Sequence, residues 1–198
     1  NKLRILFVAD HLKLGGAERH LVAVATGLAA LGNEVAVAYL KPHDELAGEL
    51  RDGGIEQVIC CNSKGSFDPV AIRRLAALIR EFRPNVAVAT LQYSLAMATL
   101  ARLWARRPIP LLFVCHSMDV VQRNRSDRLR FAVYRRFYRM AERIVFVSEL
   151  QRQFFQRLGI RPLSDEVIHN GIDLERFSAP AVAAEASQLR RKLGFCDG

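Results

Sequence analysis

Residues 10–19 read Asp10-His11-Leu12-Lys13-Leu14-Gly15-Gly16-Ala17-Glu18-Arg19. Before them stands an apolar run, Ile5-Leu6-Phe7-Val8-Ala9, with the length and branching of a buried strand. After them, Ala17 to Leu31 carries Ala, Leu and Val at helical spacing and stops at Gly32. A strand therefore runs into a loop, and two glycines stand where the loop becomes a helix. Lacking Cβ, they let the backbone take unusual dihedrals and let a ligand come close. The first amides of a helix have no internal partner and carry about half a positive charge. An anion, most often a phosphate, fits there. Gly15-Gly16 can equally serve only to turn the loop and pack the helix on its sheet.

The same alternation repeats downstream. Strands are expected at Glu34–Leu40, Glu56–Cys60, Asn85–Leu91, Leu111–Cys115, Arg143–Val147 and Asp165–His169. Between them come helices from about Glu45 to Arg51, from the Asp68-Pro69 cap to Phe82, and over Ser94–Ala105, Ser126–Ala141 and Glu149–Leu158. No hairpin signal joins any two strands. The spacing predicts a Rossmann-like α/β domain: a doubly wound, mostly parallel sheet of six to seven strands with helices on both faces. Past Phe177 the composition changes, and residues 178–187 read as a linker, with a short helix to follow at Gln188–Leu193. The domain is expected to span 1–177, and 178–198 to lead towards a further domain.

The 198 residues suffice for one domain with a sizeable core, and half of them are apolar. No apolar run approaches the ~20 residues of a membrane span. Asn1-Lys2-Leu3-Arg4 leads straight into a strand, which predicts no signal peptide, and the lack of an initiator Met predicts a trimmed start. Cys60, Cys61, Cys115 and Cys196 form no Cys-x-x-Cys pair and no zinc spacing, so a reducing cytosol is the expected setting. The five histidines likewise show no metal spacing. The net charge of +9 is concentrated: from Arg123 to Arg143, eight arginines face only Asp127 and Glu142.

Ligands of open parallel sheets bind beyond the carboxyl ends of the strands. Gly15-Gly16, Gln92-Tyr93, His116-Ser117-Met118-Asp119 and Ser148-Glu149 all fall there. His116 is the most informative, since an imidazole at a strand end acts as a general base or binds a hydroxyl. A histidine that only hydrogen-bonds a loop carbonyl fits the same position. A dinucleotide site needs Gly-x-Gly-x-x-Gly and an acid after strand two. Here strand two ends Leu40-Lys41-Pro42, so a dehydrogenase does not fit.

The arginine-rich helix has a definite geometry. Leu129, Val133, Phe137, Met140 and Ile144 form one apolar stripe, widened on a flank by Phe131, Tyr134 and Tyr138. Arg128, Arg135, Arg139 and Arg143, joined by Arg125 and Arg136, lie opposite in an arc of roughly 100°. A membrane-surface helix is one reading, and a sheet-covering helix with a solvated face is the other. No nucleic-acid module accompanies the charge.

Gly15-Gly16-Ala17-Glu18, His116, Val147-Ser148-Glu149 and Asn170-Gly171-Ile172-Asp173 with Phe177 together resemble the family 4 glycosyltransferases. The resemblance runs from about residue 3 to the end. It implies one half of a GT-B fold, the N-terminal, acceptor-binding half of an enzyme that transfers a sugar with retention. The donor is a UDP- or GDP-linked sugar, with no metal and no cofactor. Gly15 and Gly16 would present amides to the donor diphosphate, and His116 would reach the sugar or the acceptor hydroxyl. Glu18, Arg19, Gln92, Tyr93, Ser117, Asp119, Ser148 and Glu149 are the acceptor-side candidates. The arginine helix would hold the enzyme on the inner face of the cell membrane, where a lipid-linked or polysaccharide acceptor is extended. Ser117 and Met118 intervene before Asp119, where many members place the acid directly after the histidine, and His169 replaces a frequent proline. The phosphate-binding basic pair belongs to the family's second domain, so this chain alone is not expected to catalyse. A nucleotide-sugar epimerase of the same architecture and a non-catalytic phosphate- or membrane-binding module are the alternatives.

Overall fold

In the computed structural model, which describes residues 2–117, 125–171, 174 and 180–194, every expected apolar run is a strand of one parallel sheet. The strands are β1 (Arg4–Ala9), β2 (Glu34–Tyr39), β3 (Gln57–Cys60), β4 (Val86–Ala89), β5 (Leu111–Cys115), β6 (Arg143–Phe146) and β7 (Asp165–Val167). Their order in the sheet is β3-β2-β1-β4-β5-β6-β7. Each neighbouring pair is parallel, for example Leu6 beside Ala36 on one side and Ala87 on the other. The winding reverses between β1 and β4, and loops leaving their carboxyl ends separate to open a crevice.

Near-continuous apolar strands require cover on both faces. Leu6 and Val8 point into one core, closed by α3 (Pro69–Phe82), α4 (Gln92–Ala105), Tyr138 of α5 (Arg125–Tyr138) and Phe155 of α6 (Glu149–Arg157). Ile5 and Phe7 point into a second core, closed by α1 (Gly16–Ala30) and α2 (Ala47–Asp52). The Asp68 cap is made as expected, its carboxylate accepting from the Val70 N–H at 2.8 Å and the Lys64 N–H at 2.9 Å. Helices α3 and α4 both end on left-handed arginines, Arg83 (φ 48°) and Arg106 (φ 53°), each just before a proline-bearing turn.

Three readings change. Helix α4 begins at Gln92, so Gln92 and Tyr93 belong to its first turn rather than to a loop. Helix α5 ends at Tyr138 rather than Ala141, so Arg143 and Ile144, on β6 as the strand reading expects, drop out of the helical arc and stripe. The stretch 178–187, read as linker, is helical from Pro180 as part of α7 (Pro180–Lys192). Proline fits the first turn of a helix, and the alanines that follow have the highest helix propensity, so low complexity there signals helix.

Candidate functional site

The site is built on the carboxyl edge at the reversal. Gly15 is the N-cap of α1 in an extended conformation (φ −156°, ψ 164°) and places no side chain over the first-turn amides. Neither glycine is left-handed, so conformational freedom is not what requires them. Space is. A Cβ on Gly15 would collide with the Glu18 carboxylate, whereas a Cβ on Gly16 would meet nothing within 4 Å. The approach to the α1 N-terminus is open at Gly16, and the first amides of a helix have no partner within the helix.

Glu18 is 7% exposed, and its Oε1 lies 3.3 Å from His11 Nδ1. A carboxylate in the first turn is stabilised by the helix dipole, and here it is folded beneath the glycine loop. Arg19 is held outward by the Glu49 carboxylate of α2 at 3.2 Å. Asp10, at the end of β1, accepts from the Ser94 N–H in the first turn of α4 at 2.7 Å. Burial raises the Asp10 pKa, while the Ser94 hydrogen bonds and the charges of His11 and Lys41 oppose that rise. Tyr93 is buried; its hydroxyl donates to the Gly65 carbonyl at 2.6 Å and lies 2.8 Å from Ser63 Oγ.

His116 is the first residue beyond β5 and is half-buried. Its Nε2 is buried with no hydrogen-bond partner among the described residues. The His20 ring of α1 stands edge-on to it, centroids 4.7 Å apart at 61°. Burial first, and the neighbouring His20 second, push the His116 pKa down to about 4. Burial also lowers the His20 pKa. At neutral pH the ring is uncharged. Ser117 is half-buried beside it, its carbonyl accepting from the Cys115 thiol at 3.4 Å. Asp119 lies outside the described residues.

Several sequence-derived candidates serve the frame. Ser148 caps α6, its Oγ accepting from the Gln151 N–H at 3.2 Å, and Gln151 Oε1 accepts in return from the Val147 N–H at 3.0 Å. Glu149 is exposed and pairs with Arg152 at 3.6 Å. Glu18 and Tyr93 have their polar atoms engaged inside the chain, so Gln92 and Ser117 are the half-buried candidates left open on the edge. His169 Nδ1–H donates to the Val147 carbonyl at 3.2 Å, tying the exits of β6 and β7 together. Among the described residues no group of three His, Cys, Asp or Glu side chains is placed to hold a metal ion.

The arginine helix buries a different face from the one its stripe indicates. Tyr138 is fully buried between Phe113 and Phe155, while Leu129 is 70% exposed and Val133 is exposed. Phe131, Tyr134 and Phe137 pack on the core, and Phe67 stacks on the last two at 6.2 and 6.0 Å. The reason is the break at Tyr138: Met140 and Ile144 no longer follow 100° per residue, so they do not define the face. Arg143 leaves the cationic arc for the same reason and pairs with Glu166 at 3.0 Å. Arg135, Arg136 and, just past the helix, Arg139 remain exposed, and Arg125 and Arg128 belong to α5. No helix among the described residues is long and apolar enough to cross a membrane.

Sequence reading missed Asp10, His11 and His20. Asp10 was findable as the polar residue ending the central strand, and His20 stands about one helical turn after Gly16.

A seven-stranded parallel sheet whose winding reverses between β1 and β4, with helices on both faces, defines a Rossmann-like domain. The chain belongs to Glycosyltransferase Family 4, whose family model matches residues 14–176. A Campylobacter jejuni protein, N,N'-diacetylbacillosaminyl-diphospho-undecaprenol alpha-1,3-N-acetylgalactosaminyltransferase, is 25% identical over 163 residues, 77% of this chain and 43% of its own length. The crystal structure of Anabaena HepE in complex with UDP-glucose superposes with a TM-score of 0.75 at 23% identity, covering 97% of this chain and 50% of HepE. A glycosyltransferase from Rickettsia africae gives 0.72 at 21% identity, covering all of this chain and 51% of that one. The fold is thus that of one half of a GT-B glycosyltransferase, and the chain spans about half the length of the relatives it matches.

Proposed function

We propose that this chain is the acceptor-side half of a retaining, hexosyl-transferring glycosyltransferase that uses a UDP- or GDP-linked sugar without metal or cofactor. The acceptor is a lipid-linked saccharide or a growing cell-surface polysaccharide or lipopolysaccharide. The observation that carries this reading is that the open first turn of α1 and the neutral ring of His116 share one edge of the sheet. The N–H groups at Gly15 and Gly16 donate to the donor diphosphate, and the helix dipole stabilises charge as the diphosphate leaves. His116 Nε2 hydrogen-bonds a hydroxyl of the transferred sugar or of the acceptor, with Gln92, Ser117 and Asp119 on the acceptor side.

The domain boundary near residue 177 and a donor-binding domain beyond it belong to the same reading, so turnover requires the full-length protein. The lipid-linked acceptor in the name of the Campylobacter relative and the UDP-glucose held by HepE support the substrate classes. Helix α5, with Leu129 and Val133 exposed among arginines, supports peripheral attachment to the anionic inner face of the cell membrane.

The test is to incubate the full-length protein with a panel of nucleotide sugars and follow release of UDP or GDP, with and without membrane lipid extract. NMR of the product then reads its anomeric configuration. Release that needs both donor and extract is the expected result. A free epimerised sugar would replace this reading with the epimerase, and no release from any donor would return Gly15-Gly16 to a simple turn.

A further inference from the structure

At the edge of the sheet opposite the crevice, α4 ends with its two large apolar side chains outside: Leu103 is 56% and Trp104 53% exposed. The chain then turns through Arg106, Arg107 and Pro108 beside a cavity of about 500 Å³. Glu142 is the acid that lines this cavity, and Arg102 consumes it at 2.9 Å while also bonding the Ile109 and Met140 carbonyls. Arg102 therefore bolts the last turn of α4 to the connection between α5 and β6. Arg135 and Arg136 on α5 and Arg139 just past its end stand beside a second cavity of about 400 Å³. Neither they nor Arg106 and Arg107 enter an ion pair among the described residues. Arg80 brings a further cation to Trp104, donating to its carbonyl at 2.9 Å.

Unpaired arginines repel one another and stay hydrated unless an anionic partner covers them, and exposed Trp and Leu among them have no cover of their own. A single indole is a poor platform for nucleic acid, which stacks on a series of aromatics. An anionic bilayer takes both components at once, phosphates over the guanidiniums and indole and leucine at the headgroup–acyl boundary. We infer that the α4 terminus is a second membrane contact: Trp104 and Leu103 insert into an anionic bilayer while Arg106 and Arg107 bind its headgroup phosphates. It deepens the attachment proposed for α5 and rests on that reading, with the bilayer lying along the α4–α5 side of the domain.

Trp104 is the chain's one tryptophan, so its fluorescence reads this contact directly. The 198-residue chain is titrated with vesicles of equal phosphatidylglycerol and phosphatidylcholine, with pure phosphatidylcholine vesicles, and with a single-stranded oligonucleotide. The expected result is a blue shift with anionic vesicles only, quenched by brominated acyl chains. Exchanging Arg106→Gln and Arg107→Gln together, the first exposed and the second half-buried, should weaken vesicle affinity about tenfold or more with an unchanged melting curve. Vesicle binding that is lost with Arg135→Gln and Arg136→Gln, but leaves Trp104 emission unshifted, overturns this inference and leaves the α5 attachment standing. Absence of vesicle binding overturns both without touching the UDP-release assay, and a response to the oligonucleotide alone assigns the corner to nucleic acid.

Discussion

The carboxylate of Asp10 accepts a hydrogen bond from the backbone N–H of Ser94 at 2.7 Å, joining residues 84 apart across the reversal of the sheet. Helix α4 has no side-chain cap of its own that reaches this N–H, so its first turn is capped from the neighbouring strand. The contact is a strut between the exit of β1 and the start of α4.

Replacing the strut separates its hydrogen bond from its charge. Asp10→Ala removes the acceptor and should cost about 1–2 kcal/mol of stability in urea unfolding. Asp10→Asn keeps an acceptor and sheds the burial cost of the charge, so it should lie close to the parent at pH 7. The raised folded pKa means that the native state holds this proton more tightly than the unfolded chain does. Stability from this group is greatest in acid and declines as pH rises through the folded value, a slope that Asp10→Asn should abolish.

His116 carries the opposite dependence. Its folded pKa, about 4, lies below the ordinary value of 6.5, so the unfolded chain binds the proton first. Stability is full above pH 6.5 and falls between 6.5 and 4; His116→Gln should flatten this part of the profile. In the full-length enzyme, His116→Ala should reduce turnover about 10²-fold or more, and an unchanged rate would mark the ring as structural.

His20→Ala removes the neighbouring imidazole and part of the cover over His116. The His116 resonance in an NMR titration should then move up from about 4 towards the ordinary range. A titration that stays at about 4 would leave burial by the rest of the site as the sole cause.

The two glycines should respond differently. Alanine at Gly16 meets nothing and sits in the first turn of a helix, so stability should hold or rise by about 0.5 kcal/mol. Donor affinity of the full-length protein should fall, because the methyl group obstructs the amides. Gly15→Ala displaces Glu18 and should lose stability as well as affinity. Unimpaired donor binding in Gly16→Ala would mean that the loop only turns the chain.

On α5, Tyr138→Ala should cost about 3–5 kcal/mol, since the ring is fully buried in the core. Leu129→Ala, on the exposed side, should change urea stability by less than about 0.5 kcal/mol. Equal losses would contradict the face described for this helix.

The sequence by itself determined the alternation of strands and helices, the parallel sheet, and the placing of Gly15-Gly16 and His116 at strand ends. Apolar runs without hairpin turns have few other ways to bury both faces and pair their backbones. It also fixed the Asp68 cap, which is a contact between near neighbours. Only the tertiary structure decided that Asp10 caps α4, that His20 flanks His116, that Glu18 lies under Gly15, and that α5 buries Tyr138 instead of Leu129. The first two depend on the strand order, which puts β4 next to β1 and β5 next to β4 and which no local periodicity records. The last depends on where the helix stops, because one break at Tyr138 cancels the phase of every residue counted beyond it. Periodicity is a local property of the chain, and a binding edge is made where distant strand ends meet.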